Sequence, residues 1–199
     1  MRLYLVRHVE TESNEKKILQ GFEDSPISEK GLKQLEKLSR RLKEENIDVC
    51  YTSDLLRAKK TAEGIMEFHK CISIKISEDV REINLGEFSG KKVGSLKEAA
   101  DKLNIPLFDF QPEGGERLKD FVERIRNFYH YLLENYPNKS ILVVTHGGVI
   151  VHLLIEILGY EHTFENVKKF IAKNASLTII EIQNKKVNVI LDRSTKHLG

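Results

Sequence analysis

The sequence predicts an α/β protein, a three-layer α/β/α sandwich with a mostly parallel central sheet. Short apolar runs alternate along the chain with longer segments whose apolar residues recur at helical spacing. One run, Ile141–Val144, is apolar at every position, which is typical of a central strand covered on both faces. The chain has 199 residues, of which 40% are hydrophobic and 31% charged, enough for a packed core and a solvated surface. We therefore expect a single domain over residues 1–199.

The first half of the chain contains three predicted strands and two predicted helices. The strands are Leu3–Arg7, Asp48–Thr52 and Ile72–Ile76. The first helix, Glu29–Glu45, carries leucines at helical spacing between charged residues, which predicts one buried face. The second helix follows Ser53, a favourable N-cap residue, and continues through Ala62 and Ile65.

The second half continues the alternation and ends in a predicted hairpin. Its helices are a short one near Leu96–Leu103, a long one from Leu118 to Leu133, and the apolar helix Val149–Leu158. Its strands are Ile141–Thr145, Leu177–Ile182 and Val187–Leu191. Pro137 ends the long helix because proline cannot continue a helical hydrogen-bond pattern. The last two strands turn at Asn184-Lys185-Lys186.

Composition excludes several functional classes. The net charge is +2, from 32 basic and 30 acidic residues, which argues against a general nucleic-acid binder. Cys50 and Cys71 form neither a disulfide framework nor a CxxC pair. The longest apolar run, Gly147–Leu158, is too short to cross a bilayer, and the first strand begins at Leu3 without a signal peptide before it. We therefore expect a cytoplasmic protein.

Polar residues that suit phosphate chemistry follow the predicted strands. In a parallel sheet the ligand lies beyond the carboxyl ends of the strands, and two predicted strands lead directly into a histidine, His8 and His146. The other candidates near strand exits are Arg7, Asn14, Arg57 and Glu82. No single one of these residues identifies a catalyst, so the hypothesis depends on their meeting in one pocket.

Each of these residue types has a chemical use toward a phosphate ester. The planar guanidinium of arginine matches phosphate oxygens two at a time. A neutral imidazole is a competent nucleophile toward phosphorus, and a second histidine can donate a hydrogen bond to the phosphoryl oxygens. A carboxylic acid can protonate the leaving alkoxide and then act as base toward water. Together these residue types suit a pocket for phosphate chemistry.

Five segments resemble, in the same order, the motifs of the histidine phosphatase superfamily, the phosphoglycerate mutase-like proteins. They are Arg7-His8-Val9-Glu10-Thr11 with Asn14, Thr52–Ala58, Arg81–Gly90, Pro112–Glu116 and Val144–Gly148. The resemblance spans nearly the whole chain. It implies the phosphoglycerate mutase-like fold and a metal-independent phosphatase that passes through a phosphohistidine intermediate and needs no cofactor.

The resemblance also implies a role for each matching residue. His8 is the phosphate acceptor and Glu82 the general acid and base. Arg7, Arg57 and His146 complete the catalytic phosphate pocket, and Asn14 and the backbone N–H of Gly147 contact the substrate. The family usually has glycine after the nucleophilic histidine, where this chain has Val9. Because valine is stiffer and larger, we expect a shifted pocket floor or a tighter loop.

The substrate is narrowed by the interval before the Gly-Gly-Glu turn. Cofactor-dependent mutases of the family carry a long basic insert there, whereas Lys91–Gln111 is short and rich in apolar residues. We interpret it as an apolar lid and expect a phosphatase. Asn174–Leu177 and the tail Asp192–Leu198 are similar to segments of compact family members, some of which act on α-ribazole 5′-phosphate in cobalamin-precursor assembly. That ester is the candidate substrate.

Three alternatives stay open on the sequence. One is phosphoglycerate mutase-type phosphoryl transfer. Another is a metal-dependent hydrolase with His8, His146 and Glu82 on zinc, which two nearby arginines would oppose. The third is a non-catalytic phosphate-binding protein, since a fold does not establish a function. The expected partner is a small phosphorylated metabolite, with no nucleic acid and no membrane, and a homodimer through the terminal hairpin edge also stays open.

Overall fold

The computed structural model describes all residues from 1 to 199. The strands are β1 (Arg2–Arg7), β2 (Val49–Thr52), β3 (Ile74–Ile76), β4 (Ser140–Thr145), β5 (Leu177–Gln183) and β6 (Lys186–Ser194). The helices are α1 (Glu12–Glu15), α2 (Glu29–Leu42), α3 (Leu56–Met66), α4 (Ser95–Lys102), α5 (Leu118–Asn135), α6 (Gly147–Leu158) and α7 (Phe164–Lys169). The predicted α/β class is confirmed.

All six strands form one sheet in the order β3-β2-β4-β1-β5-β6. The first four of these are mutually parallel, and β5 and β6 join antiparallel at one edge. The sheet is therefore mostly parallel, as predicted. Strands β1 and β4 lie in register, with Arg7 opposite Thr145, so they end side by side. This register brings the residues that follow them, His8 and His146, to the same point of the sheet edge.

Helices cover both faces of the sheet and make the three layers. Alternate residues of a strand point to opposite faces. Accordingly Leu3 and Leu5 belong to one buried cluster, with residues of α5 and α6, while Tyr4 and Val6 belong to the other, with residues of α2 and α3. None of the helices is both long and apolar enough to span a bilayer.

Two local features differ from the sequence prediction. Ser53 is not the N-cap of α3, which begins at Leu56 after Leu55. The Ser53 hydroxyl instead accepts the Leu55 N–H at 3.2 Å, within the turn that precedes the helix. In the terminal hairpin only Asn184 and Lys185 form the turn, with φ of 50° and 63°, and β6 already begins at the next residue. Two successive positive φ angles are the geometry that tight hairpins prefer.

Candidate active site

His8 follows β1 with its ring held in one orientation. Its backbone N–H donates to the Thr145 carbonyl of β4 at 2.8 Å, and the side chain is buried. The ring Nδ1 lies 2.7 Å from the Val9 carbonyl oxygen. Because a carbonyl can only accept, Nδ1 carries the ring proton and Nε2 keeps a free lone pair. His8 thus presents an oriented nitrogen lone pair at the end of β1.

The surroundings of His8 keep it neutral. Burial is the largest cause that lowers its pKa well below 6.5, and the positive charges of Arg7 and Arg57 lower it further. A neutral imidazole is the form that attacks phosphorus. The positive charges of Arg7 and Arg57 thus oppose protonation of His8 and remain available to attract an anion.

Arg7 and Arg57 are buried guanidinium groups that are only partly satisfied by the protein. Arg7 Nη1 donates to the Ala172 carbonyl at 2.7 Å. Arg57 donates from Nη1 and Nη2 to two backbone carbonyls, at 2.9 and 2.7 Å. The Nε atom of each is buried without a partner. Burial lowers the pKa of both groups, and the charge of Glu82 opposes that effect.

His146 completes a set of unpartnered nitrogens around His8. Both of its ring nitrogens are buried without a hydrogen-bond partner, and its ring centroid is 5.3 Å from that of His8. Burial lowers its pKa well below 6.5, and the charge of Arg57 contributes next. Buried polar groups are costly unless they are hydrogen-bonded. A cluster of nitrogens without hydrogen-bond partners, beside two arginines, is therefore suited to an anion.

Buried neutral histidines make stability depend on pH. Burial lowers the pKa of His8 and of His146 well below 6.5, and lowers that of His152 to about 3. Below pH 6.5 the unfolded chain binds protons that the folded chain does not. The free energy of unfolding therefore falls as the pH is lowered, by about 1.4 kcal/mol per pH unit for each histidine.

Between pH 7.5 and 5.5 these three histidines should lower the free energy of unfolding by about 4 kcal/mol. His162 and His197, whose pKa burial also lowers, should add to that fall. Urea titration in phosphate-free buffer measures it, and His152→Phe should remove about 1.4 kcal/mol of the fall. A free energy that is flat over this interval would contradict the burial of neutral imidazoles.

Glu82 faces the pocket from the loop after β3. Its Oε1 accepts the N–H of Ile83 at 3.0 Å, and its Oε2 accepts the N–H of Gly148 at 3.1 Å. A Cβ on Gly148 would lie 2.4 Å from Glu82 Oε1, a distance that real side chains do not tolerate. The first turn of α6 thus positions the carboxyl group, and only glycine leaves room for it.

Gly148→Ala should displace Glu82 and reduce kcat for alkyl phosphates by roughly 100-fold, since misplacement of about 1 Å has that cost. The same variant should change kcat/KM for p-nitrophenyl phosphate little, because that leaving group departs without an acid. Equal losses of kcat/KM on the two classes of ester, measured by steady-state kinetics, would remove Gly148 from the positioning of Glu82.

Asn14 is linked to His8 through Asn174, and its side-chain oxygen is already used within the protein. It belongs to α1, and its Oδ1 accepts from Thr11 N–H at 3.2 Å and from Asn174 Nδ2 at 3.1 Å. Asn174 Nδ2 also lies 3.1 Å from the His8 carbonyl. Only the Asn14 amide N–H groups remain for a ligand, so any contact with an anion is made through Nδ2.

The side chain of Val9 belongs to the hydrophobic core. Its side chain is fully buried in the core beneath α2 and α3, with Leu38 and Ala62, and its φ is negative. Its N–H donates to Thr61 Oγ1 at 3.2 Å. A glycine conformation is therefore not needed at this position, and the core accommodates the Val9 side chain.

Arg124 is a residue of this site that sequence reasoning missed. From α5 it pairs with Glu116, Nε to Oε1 at 3.1 Å and Nη2 to Oε2 at 2.9 Å. Its Nη1 also donates to the carbonyl of Asp79 at 2.7 Å and to that of Arg81 at 3.1 Å. Arg124 thereby fixes the loop that carries Glu82. The sequence signal that could have pointed to it is an arginine in the helix that follows the Gly-Gly-Glu turn.

The structure brings together the predicted residues His8, Arg7, Arg57, His146 and Glu82, with Asn14 and Gly147 at the margin. Gly147 begins α6, where N–H groups have no partner within the helix. No group of three or more His, Cys, Asp or Glu side chains is placed to hold a metal ion. Fold and site together define an α/β protein with two arginines, two histidines and one glutamate gathered at the carboxyl ends of its parallel strands.

Comparison with known proteins agrees with this class. The family model of the histidine phosphatase superfamily (branch 1) matches residues 3–193. The broad-specificity phosphatase YOR283W of Saccharomyces cerevisiae is 31% identical over 208 residues, covering 100% of this chain and 88% of the relative. A Cronobacter sakazakii protein named "Probable phosphoglycerate mutase GpmB" is 30% identical, covering 92% and 86%.

Structural similarity extends over the same length. The crystal structure of the α-ribazole phosphatase from Shigella flexneri superimposes with a TM-score of 0.85 at 26% identity, covering 98% of this chain and 96% of that one. The chain belongs to the histidine phosphatase superfamily, and it is a phosphatase enzyme.

Proposed function

We propose that the chain hydrolyses a small phosphorylated metabolite by double displacement through a phosphohistidine at His8. The observation that carries this proposal is the set of buried, unpartnered nitrogens on Arg7, Arg57 and His146 around the free Nε2 of His8. A phosphoryl group offers oxygens that match these donors. Charge-assisted hydrogen bonds of this kind stabilise the transferring group most strongly where water is excluded.

In the first step the phosphoryl group moves to the enzyme. Nε2 of His8 attacks phosphorus, the P–N bond forms and the ester P–O bond breaks. Glu82, in its protonated form, transfers its proton to the departing oxygen. Meanwhile the two arginines and His146 hold the peripheral oxygens, which is most of what phosphoryl transfer requires of a protein.

In the second step water releases the phosphoryl group. The Glu82 carboxylate takes a proton from the water molecule as its oxygen attacks phosphorus. The P–N bond breaks, inorganic phosphate leaves, and neutral His8 with a protonated Glu82 is regenerated. One carboxyl group thus acts as acid and then as base.

The leaving group is expected to carry an apolar body. A cavity of about 190 Å³ has Ile83, the neighbour of Glu82, in its wall, and eight of its eleven lining residues are hydrophobic. An engineered cavity of about 150 Å³ binds benzene, so an aromatic ring fits this size. Leu107, Phe108 and Phe110 form part of the wall, in agreement with the apolar lid, although Leu103 and Ile105 are exposed.

α-Ribazole 5′-phosphate is the substrate that this proposal favours. Its phosphate suits the anion pocket and its aromatic base suits the apolar cavity. The Shigella flexneri α-ribazole phosphatase shares the fold over nearly the whole chain, which supports the assignment. An apolar wall offers no counter-charge for the carboxylate of phosphoglycerate, so hydrolysis is favoured over mutase chemistry.

Substrate profiling tests the proposal. Wild-type kcat/KM is measured for α-ribazole 5′-phosphate, glucose 6-phosphate and 3-phosphoglycerate, with a chelator present. We expect the highest value for α-ribazole 5′-phosphate and release of inorganic phosphate from it. A higher kcat/KM for 3-phosphoglycerate, or its conversion to an isomer, would contradict the substrate assignment. It would leave the phosphohistidine chemistry intact. Loss of all turnover in the chelator would contradict the metal-independent mechanism.

A further inference from the structure

The apolar cavity contains two polar side chains, and one of them, the imidazole of His152, has a ring nitrogen without a partner in the protein. His152 lies on α6 and lines the cavity, and only 3% of it is exposed. Its Nδ1 lies 2.9 Å from His162 Nδ1, whereas its Nε2 has no hydrogen-bond partner in the protein. The other polar lining residue, Glu116, is engaged by Arg124 and by the Asn84 N–H. His152 Nε2 is therefore available to a ligand.

The position of His152 relates it directly to the proton donor. It follows Gly148, whose N–H holds Glu82, by four residues, so both lie on one face of α6 about 6 Å apart along the axis. The ring of Phe121 lies beside both, 5.6 Å from the His152 ring and 3.2 Å from the point that a Cβ on Gly148 would occupy. A leaving group that runs from Glu82 along this face of α6 for about one ring length would come to His152.

A chain of hydrogen bonds determines which ring nitrogen of His152 carries the proton. Arg126 Nε lies 3.1 Å from both carboxylate oxygens of Glu156, and Glu156 Oε2 lies 3.4 Å from His162 Nε2. A carboxylate accepts only, so His162 carries its proton on Nε2. Burial lowers the pKa of His162, so it is neutral at neutral pH and its Nδ1 is an acceptor.

It follows that His152 donates from Nδ1 to His162. A neutral imidazole has a single N–H, and burial keeps His152 neutral, with its pKa lowered to about 3. Its Nε2 is thus a bare acceptor in an apolar cavity. A ligand that buries this nitrogen without donating to it loses a hydrogen bond, and a ligand with a donor keeps it.

We infer that His152 is a specificity-determining residue, whose Nε2 accepts a hydrogen bond from an N–H or O–H group on an aromatic or otherwise apolar leaving group. The inference rests on the proposed function, because it assigns the cavity to the leaving group. It selects, among apolar phosphate esters, those that carry a donor roughly one ring length from the ester oxygen. The ribose hydroxyls of a nucleoside leaving group are donors of this class.

Two bicyclic esters of similar size provide the kinetic test. Indoxyl phosphate carries a ring N–H, and 1-naphthyl phosphate has none. The ratio of their kcat/KM values is compared between wild type and His152→Phe, so that their different intrinsic reactivities cancel. We expect the ratio to shift toward 1-naphthyl phosphate by roughly threefold to tenfold, the value of one hydrogen bond. An unchanged ratio would overturn the inference.

Controls separate this inference from the proposed function. His130→Phe, on the exposed face of α5, should keep the wild-type ratio. All variants should hydrolyse p-nitrophenyl phosphate, and a wild type that fails to do so overturns the proposed function instead. Independently of any variant, nitrogen NMR of the imidazoles should show His152 protonated at Nδ1 and bare at Nε2. A proton on Nε2 would overturn the acceptor assignment.

Discussion

His8→Ala should reduce kcat for p-nitrophenyl phosphate by at least about 10³-fold, because no other group replaces the nucleophile once the imidazole is removed. The anion pocket should survive, because backbone carbonyls hold Arg7 and Arg57 and the core buries His146. Inorganic phosphate should therefore still bind to the inactive variant. Steady-state kinetics and calorimetric titration with phosphate measure the two effects.

Two further variants make this result interpretable. His130→Ala removes an exposed histidine of α5 and should retain wild-type activity. His8→Asn keeps a polar side chain of moderate size at the buried position, so it serves if the alanine variant is unstable. Activity close to wild type in either His8 variant, with the fold verified by circular dichroism, would remove His8 from the chemistry.

Glu82→Gln should have an effect that depends on the leaving group. A poor alkoxide leaving group needs a proton, so kcat/KM for an alkyl phosphate should fall by roughly 10²- to 10⁴-fold. p-Nitrophenolate leaves without an acid, so its kcat/KM should change little. Its kcat should still fall, because hydrolysis of the phosphohistidine then lacks a base and becomes rate-limiting.

The same variant should show a burst of p-nitrophenolate before the slow steady state. Glu87→Gln is the matched control, because Glu87 lies in the same segment and its carboxylate contacts only Lys91 at the surface. Equal losses of kcat/KM on both classes of ester would contradict the role of Glu82 as proton donor and indicate a general effect on the pocket.

The position of the site was largely predictable from sequence. Continuous apolar runs revealed β1 and β4, and the rule that ligands lie beyond the carboxyl ends of parallel strands selected His8 and His146. The register of Arg7 opposite Thr145 then brings the two together. The two strands and the nearness of His8 to His146 were predictable because each depends on a local pattern combined with one general property of parallel sheets.

Other features were not predictable because they depend on tertiary contacts. The requirement for Gly148 arises only when Glu82, 66 residues earlier, reaches its N–H. Asn174 contacts His8 and Asn14 across more than 150 residues, with no local signal for it. The helices α1 and α7 have four and six residues and no fully buried side chain, so they show no hydrophobic period.

Val9 illustrates a prediction that local reasoning could not complete. A branched residue after His8 predicted a shifted pocket floor or a tighter loop, since the size and stiffness of the side chain are all that the sequence offers. In the structure its side chain points into the core under α2 and α3, and its carbonyl fixes the His8 ring instead. The backbone of this position, rather than its side chain, faces the chemistry.

The central claim, a phosphoryl group carried covalently by His8, is tested most directly by trapping it. Glu82→Gln is mixed with p-nitrophenyl phosphate, quenched in alkali because phosphohistidine is labile to acid, and digested for peptide mass mapping. We predict one phosphoryl group on the peptide that contains His8, formed during the burst and absent when His8→Ala is added to the variant. Turnover with no phosphoryl group on the enzyme, or with the group on another residue, would contradict the account.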